Sequence, residues 1–189
     1  MTGSRGSNPH APAVRPATPA DGGAIERLHR RAFGAEGDTI VTLLGDLARD
    51  PTAAPRLSLV AEADGEAVGH VLFTAARIEP GPPGLTCRIL APLAVDPGRQ
   101  GRGIGTALVR AGLDVLDAAG VDLVFVLGDP AYYGRFGFVP ATPAGLVPPH
   151  PLVPEFADAW MERTRAGSPG AQGRVRCADV LEEPRYWRP

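Results

Sequence analysis

The sequence predicts an α/β fold in which helices flank a mixed sheet, with an antiparallel hairpin on one side and a parallel pair of strands on the other. Three observations carry that prediction. Two apolar runs, Leu57 to Ala61 and Ala67 to Phe73, bracket Asp64-Gly65, a dipeptide that tolerates positive φ and so closes a tight hairpin. Further on, the run Ile89-Leu90-Ala91-Pro92-Leu93-Ala94-Val95 passes through a glycine-rich turn into a helical pattern and then into Leu123-Val124-Phe125-Val126-Leu127. A strand, a crossover helix and a strand in that order make a parallel pair. Two amphipathic helical patterns precede both features.

Taken in order, Val14 to Ala17 predicts a short first strand, and Thr18-Pro19-Ala20-Asp21 offers an N-cap residue with proline at the first helical position. Ile25, Leu28 and Ala32 recur at helical spacing, so a first helix should reach about Phe33. Ile40, Leu43, Leu44 and Leu47 predict a second, stopped by Asp50-Pro51. After the hairpin, Glu79 to Gly84 contains three prolines and two glycines and reads as a loop. Proline cannot donate to a ladder, so the strand ending at Val95 should be bulged or splayed near Pro92. The helix opened by Gln100 to Thr106 should pack through Ile104, Leu108, Ala111 and Val115 and end at Gly120. Leu123 to Leu127 has no alternation, as for a strand buried on both faces. Asp129-Pro130 opens a short helix, and Phe136 to Val139 is extended. Leu152, Phe156 and Trp160 suggest a last helical turn, and Val175-Arg176-Cys177 an edge strand.

The chain has 189 residues, 44% of them hydrophobic, which suits one domain with a sizeable core. Residues 1–12, rich in Gly, Ser, Asn and Pro, read as a disordered tail, and residues 13–189 as a single domain. A formal net charge of -2 gives no footprint for nucleic acid or for an anionic membrane. No run of about 18 apolar residues and no signal peptide is seen, so a cytoplasmic protein is expected. Cys87 and Cys177 lack metal-site spacing, so no metal is expected. All 19 basic residues are arginine. Without lysine, a P-loop, a pyridoxal Schiff base and a lysine general base are excluded.

The turn Gln100-Gly101-Arg102-Gly103-Ile104-Gly105 places free backbone N–H groups at the positive end of a helix dipole, where side chains are scarce and an anion can approach closely. A phosphate-bearing ligand is implied, the alternative being a turn that merely packs. The dinucleotide fingerprint wants glycine where Thr106 stands and an acid at the end of the next strand, whereas Asp122 begins it. A nicotinamide oxidoreductase is therefore disfavoured.

These residues resemble the pyrophosphate loop of the GNAT superfamily of acyl-CoA-dependent N-acyltransferases, Gln/Arg-x-x-Gly-x-Gly/Ala. The opening Val14 to Asp21 resembles that family's first strand and helix start, and Tyr133-Gly134-Arg135-Phe136-Gly137-Phe138 resembles its Tyr-x-x-x-Gly-Phe segment. With Leu127-Gly128-Asp129-Pro130-Ala131-Tyr132 before it, the segment is similar to the YhbS-like branch. The resemblance covers residues 13 to about 139. It implies a mostly antiparallel central sheet with one splayed parallel pair. It also implies acetyl-CoA as co-substrate, with pyrophosphate on the amides of Gly101, Arg102, Gly103, Ile104, Gly105 and Thr106 beside Gln100, and the pantetheine arm along Leu93, Ala94 and Val95.

The function so implied is transfer of an acetyl group to a primary amine of a small molecule or peptide by direct attack in a ternary complex. The alternative is a non-catalytic acyl-CoA sensing module; a monomer and a homodimer are both open. Tyr133 is the candidate general acid toward the departing sulfur, since a phenol stays protonated at neutral pH. Some family members carry a glutamate between the positions of Cys87 and Val95, and here there is none. Asp129, His70 and Glu36 are the candidates for base or for lining the amine pocket. Asp129 before proline also suits a helix cap, and His70 a structural strand residue. Arg110 and Asp114 have i,i+4 spacing for an exposed ion pair. Cys87 lies near the proposed acyl site without a local histidine to activate it.

Overall fold

The computed structural model describes residues 12–187. Apart from Pro12, the expected tail lies outside the described residues.

The main sheet runs β1 (Ala13–Pro16), β2 (Leu57–Ala63), β3 (Glu66–Glu79), β4 (Cys87–Val95), β5 (Leu123–Leu127), β8 (Trp160–Thr164) and β6 (Val139–Pro140). Every neighbouring pair on this path is antiparallel except β4 and β5, which are parallel. Two short strands, β7 (Leu146–Val147) and β9 (Gly173–Arg176), pair parallel to each other, and β9 continues antiparallel onto Arg77–Glu79 of β3. The hairpin closes at Asp64 and Gly65 with φ of 55° and 76°, the positive values that Asp-Gly supplies.

Alternation along β3 gives the sheet two apolar faces. Val71 and Phe73 pack with α3 (Ile104–Ala118), and Leu72 packs with Leu43 and Leu47 of α2 (Gly37–Arg49). The first helix, α1 (Gly22–Phe33), follows a turn at Pro19–Asp21 in which the Asp21 carboxylate accepts from the Thr18 backbone N–H at 2.7 Å, as the Thr18-Pro19 signal predicted.

Four expectations are corrected. Trp160 does not continue a helix; it begins β8, is fully buried, stacks on Phe125 at 5.3 Å and donates its indole N–H to the Leu146 carbonyl. The helical spacing of Leu152, Phe156 and Trp160 was overridden because β5 needs a partner on its second edge. Val115 does not face the core and is 46% exposed; α3 instead buries Val109, Gly112, Leu113 and Leu116 beside Ile104 and Leu108. The strand near Val175 is not an edge, since β9 is flanked by β3 and β7. Arg110 and Asp114 form no ion pair; on that flank Arg163 takes Asp117 in two bonds of 2.9 and 2.7 Å.

His70 is not a lone strand histidine. Its Nδ1 lies 2.9 Å from Nε2 of His29 on α1, and its Nε2 lies 2.9 Å from Oγ of Ser58 on β2. Both rings are buried, and His29 stacks on Phe33 at 5.7 Å. A single proton serves the His29–His70 contact, so two imidazolium rings would face each other as donors. Burial holds His29 at about 3 and His70 at about 4, the second partly offset by the charge of Asp21.

Two predictions follow from this packing. A Cβ on Gly112 would overlap the Phe73 ring. Helix propensity alone would make Gly112→Ala stabilising by about 1 kcal/mol, but overpacking should make it destabilising by about 1–3 kcal/mol in urea denaturation. For the histidines, the unfolded imidazoles titrate near their ordinary value of 6.5 and bind protons that the native rings refuse. Stability is therefore full above that pH and lost as pH falls toward 4, and between pH 7 and 5 the loss should be on the order of 2 kcal/mol per ring. A urea midpoint independent of pH across that interval would overturn the assignment.

Candidate functional site

The site begins where two strands part. β4 and β5 are paired from Cys87/Leu123 to Leu90/Val126 and no further. On the other side of β4, Val71 faces Leu93 and Phe73 faces Leu90, so Ala91 and Pro92 together stand opposite Leu72 alone. This is the bulge expected at Pro92. Leu127 keeps its place by pairing with Trp160 on β8. Beyond the bulge the Asp96 N–H donates to the Val68 carbonyl at 2.9 Å. Backbone groups alternate along a strand, so those of Leu93 and Val95 are aimed away from β3 and into the opening. The Gln100 side chain reaches the Val95 carbonyl at 3.3 Å.

One end of the opening is the glycine-rich turn. Gly101 and Gly103 have φ of 73° and 80°, and a Cβ on either would meet nothing. The turn is open at these two glycines, whereas Gly105 is packed beneath the Tyr132 hydroxyl. Gly103 caps α3, and the N–H groups of Ile104, Gly105 and Thr106 precede the first intrahelical donor, Ala107, which bonds the Gly103 carbonyl at 2.9 Å. Three free amides at a dipole's positive end form an anion cradle. The hollow is lined by Leu93, Val95, Gln100 and the turn, together with Tyr132 and Arg135. The Arg135 guanidinium lies 4.4 Å from the Tyr132 ring centre and donates to the Tyr132 carbonyl. Arg102 points outward and is exposed, and the Ala94 side chain is buried on the opposite face beside His70.

At the other end lies a larger cleft. Phe33, Glu36 and Ile40 from the α1–α2 corner form one wall, Ala91 to Leu93 and Leu127 the floor, and Arg185, Tyr186 and Trp187 the far wall. Tyr133, on the short helix α4 (Pro130–Tyr133), also lines it. Its ring is 8% exposed and fits against Gly128, where any Cβ would overlap it. Burial, with Tyr132 beside it, pushes its hydroxyl well above the usual phenol range. Leu93 lines both the cradle and the cleft, which makes the opening between the strands their junction.

Of the candidate bases, Glu36 is the one carboxylate among the residues lining the cleft. Asp129 accepts the Ala131 N–H at 2.9 Å and caps α4. His70 is sealed beneath α1 and lines none of these hollows. Sequence reasoning missed Tyr132, Arg135, Phe33 and the 185–187 wall as site residues. The aromatic pair Tyr186-Trp187 in a polar terminal stretch was the available signal.

Among the described residues, no helix is long and apolar enough to cross a membrane, and no group of three metal-ligating side chains occurs. A family model described as Acetyltransferase (GNAT) family matches residues 24–138. The chain is 41% identical over 167 residues to the N-acetyltransferase YjhQ of Escherichia coli K12, covering 86% of this chain and 90% of that protein. The crystal structure of the GNAT N-acetyltransferase YhbS from Escherichia coli in complex with CoA superposes with a TM-score of 0.80 at 31% identity, covering 96% of this chain and 97% of that one. A GNAT acetyltransferase from Brucella melitensis in complex with acetyl-CoA gives 0.65 at 30% identity, covering 91% and 99%. The chain belongs to the GNAT family of N-acetyltransferases.

Neither thiol is placed for covalent chemistry. Cys87 sits at the paired end of β4, away from the bulge, and burial pushes it up to about 12; Cys177 is raised further by the same cause. Native protein at pH 8 should consume no aromatic disulfide reagent on the timescale that the urea-unfolded chain consumes two equivalents, one for each cysteine.

Proposed function

We propose that this chain moves an acetyl group from acetyl-CoA to a primary amine by direct attack within a ternary complex. The observation that carries the reading is the junction at Leu93, where the anion cradle and the amine-sized cleft open onto each other between the parted strands. The free amides of Ile104 to Thr106 and the Arg135 guanidinium suit a diphosphate, and the outward-facing backbone of Leu93 and Val95 suits an amide-bearing arm laid along β4. When bound, acetyl-CoA supplies a thioester carbonyl as the electrophile.

The rest is done by the chain's own side chains. Glu36 attracts the ammonium form of the acceptor into the cleft, and solvent within the cleft takes the proton that the amine must shed. No carboxylate on β4 competes for that role. Tyr133 holds its proton across the working pH range because burial disfavours its phenolate; it hydrogen-bonds the departing sulfur and yields that proton only as negative charge builds there. A sensing module would have no use for such an acid beside the cleft. The burial of the Cys87 thiol supports direct transfer over an acyl-enzyme.

The test follows free thiol release from acetyl-CoA across a panel of amines. Tyr133→Phe should keep its affinity for CoA and lose about 10²-fold in turnover, with no alkaline limb below pH 10 assignable to Tyr133 in the parent. Unchanged turnover would remove Tyr133 from the mechanism.

A further inference from the structure

A second cavity, of about 500 Å³, adjoins the cleft and shares Leu127 and Trp187 with it. Its floor is the end of β5 with Gly128 and Pro130, and its roof is the turn Pro154–Ala159 preceded by Leu152 and Val153. The surface inside is mostly carbon. Phe156 is 44% exposed and Val153 nearly as much, so the chain holds two large apolar side chains at this mouth where they gain little from folding. Three carboxylates, Asp129, Glu155 and Asp158, share the lining with no basic residue among it.

Asp21, Asp96, Asp117 and Asp122 each sit against an arginine at 2.7 to 2.8 Å. Among the described residues none of the three cavity carboxylates has such a partner. From exposed positions they share the rim of a hollow whose volume falls within the range of small-ligand sites.

We infer that this cavity is a second acceptor subsite, which takes the non-reacting apolar segment of the amine and, at its outer end, a second cationic group. The inference rests on the acetyl-transfer reading for the placement of the reacting amine in the neighbouring cleft. The acceptor class it defines is a diamine with an apolar spacer. Leu127 and Trp187 serve both hollows, so the spacer passes across them from one to the other. A distal carboxylate would meet three like charges and be rejected.

The experiment is calorimetric titration of the CoA-saturated protein with diaminooctane, octylamine and aminooctanoate, which share one chain length and differ in the distal group. Diaminooctane should bind about fivefold more tightly than octylamine, the size expected of exposed charge pairs, and aminooctanoate most weakly. The double variant Glu155→Gln, Asp158→Asn, with Asp129 alone remaining, should bring diaminooctane to within about twofold of octylamine, and Glu155→Arg should raise aminooctanoate above its parent affinity. Phe156→Ala should weaken diaminooctane and octylamine alike by about threefold through lost apolar contact. The three residues changed, Glu155, Phe156 and Asp158, lie on an exposed turn, and CoA affinity serves as the folding control. Equal binding of diamine and monoamine in the parent, or a preference undiminished in the double variant, overturns the inference. Failure of the transfer reading looks different: no thiol is released from acetyl-CoA with any amine while the diamine preference persists.

Discussion

An interrupted hydrogen-bond ladder governs this molecule. Strands β4 and β5 are held together up to Leu90 and Val126, and there Pro92 and its bulge turn β4 away. Backbone groups left without a strand partner must be satisfied by something else. At Leu93 and Val95 they face an opening rather than a neighbour, with the first turn of α3 at one end and the cleft under α1 and α2 at the other. The gap does not spread into the rest of the sheet because β5 pairs along its whole length with β8, from Leu123 with Thr164 to Leu127 with Trp160. A local break in one ladder is thus braced by an unbroken one beside it.

The α1–α2 corner that supplies Phe33 and Glu36 is fixed by polar contacts as well as by packing. Beneath α1, His29, His70 and Ser58 link helix to sheet through two short contacts. On its solvent side Arg31 meets Asp96 at 2.7 Å, and Asp96 in turn accepts the Gly98 N–H at the start of the turn that leads to the cradle. A pair this exposed contributes little to stability, yet it ties the corner lining the cleft to the segment entering the cradle. The buried histidine contact carries more weight, since an unpaired polar group there would be costly.

Much of this was legible from residue order. Asp64-Gly65 marked the hairpin, the glycine-rich turn marked the cradle, and Pro92 marked the parting of the strands, because in each case a single residue type is required by backbone chemistry. Legibility fell where pairing decided the outcome. The segment around Trp160 had helical spacing but became a strand because the free edge of β5 lies beside it, which no local pattern reveals. Val115 failed as a core residue through a small rotation of α3, whose packing is set by the close approach of Gly112 to Phe73. The far wall of the cleft comes from residues 185–187, nearly a hundred positions beyond Leu93, and His29 found His70 only through tertiary packing.

The separation along the chain between the two halves of the site has an evolutionary consequence. The cradle is drawn from residues 93–106 with Tyr132 and Arg135, under strict backbone demands, while the cleft and the neighbouring cavity borrow their outer surfaces from residues 152–159 and 181–187. On the proposed reading, the exposed positions there, such as Glu155, Phe156 and Asp158, can change and alter which amine is welcomed without disturbing the diphosphate berth. Trp160 and Trp187, buried in the same stretch, stay bound to the core, so refitting is confined to the exposed side chains around them.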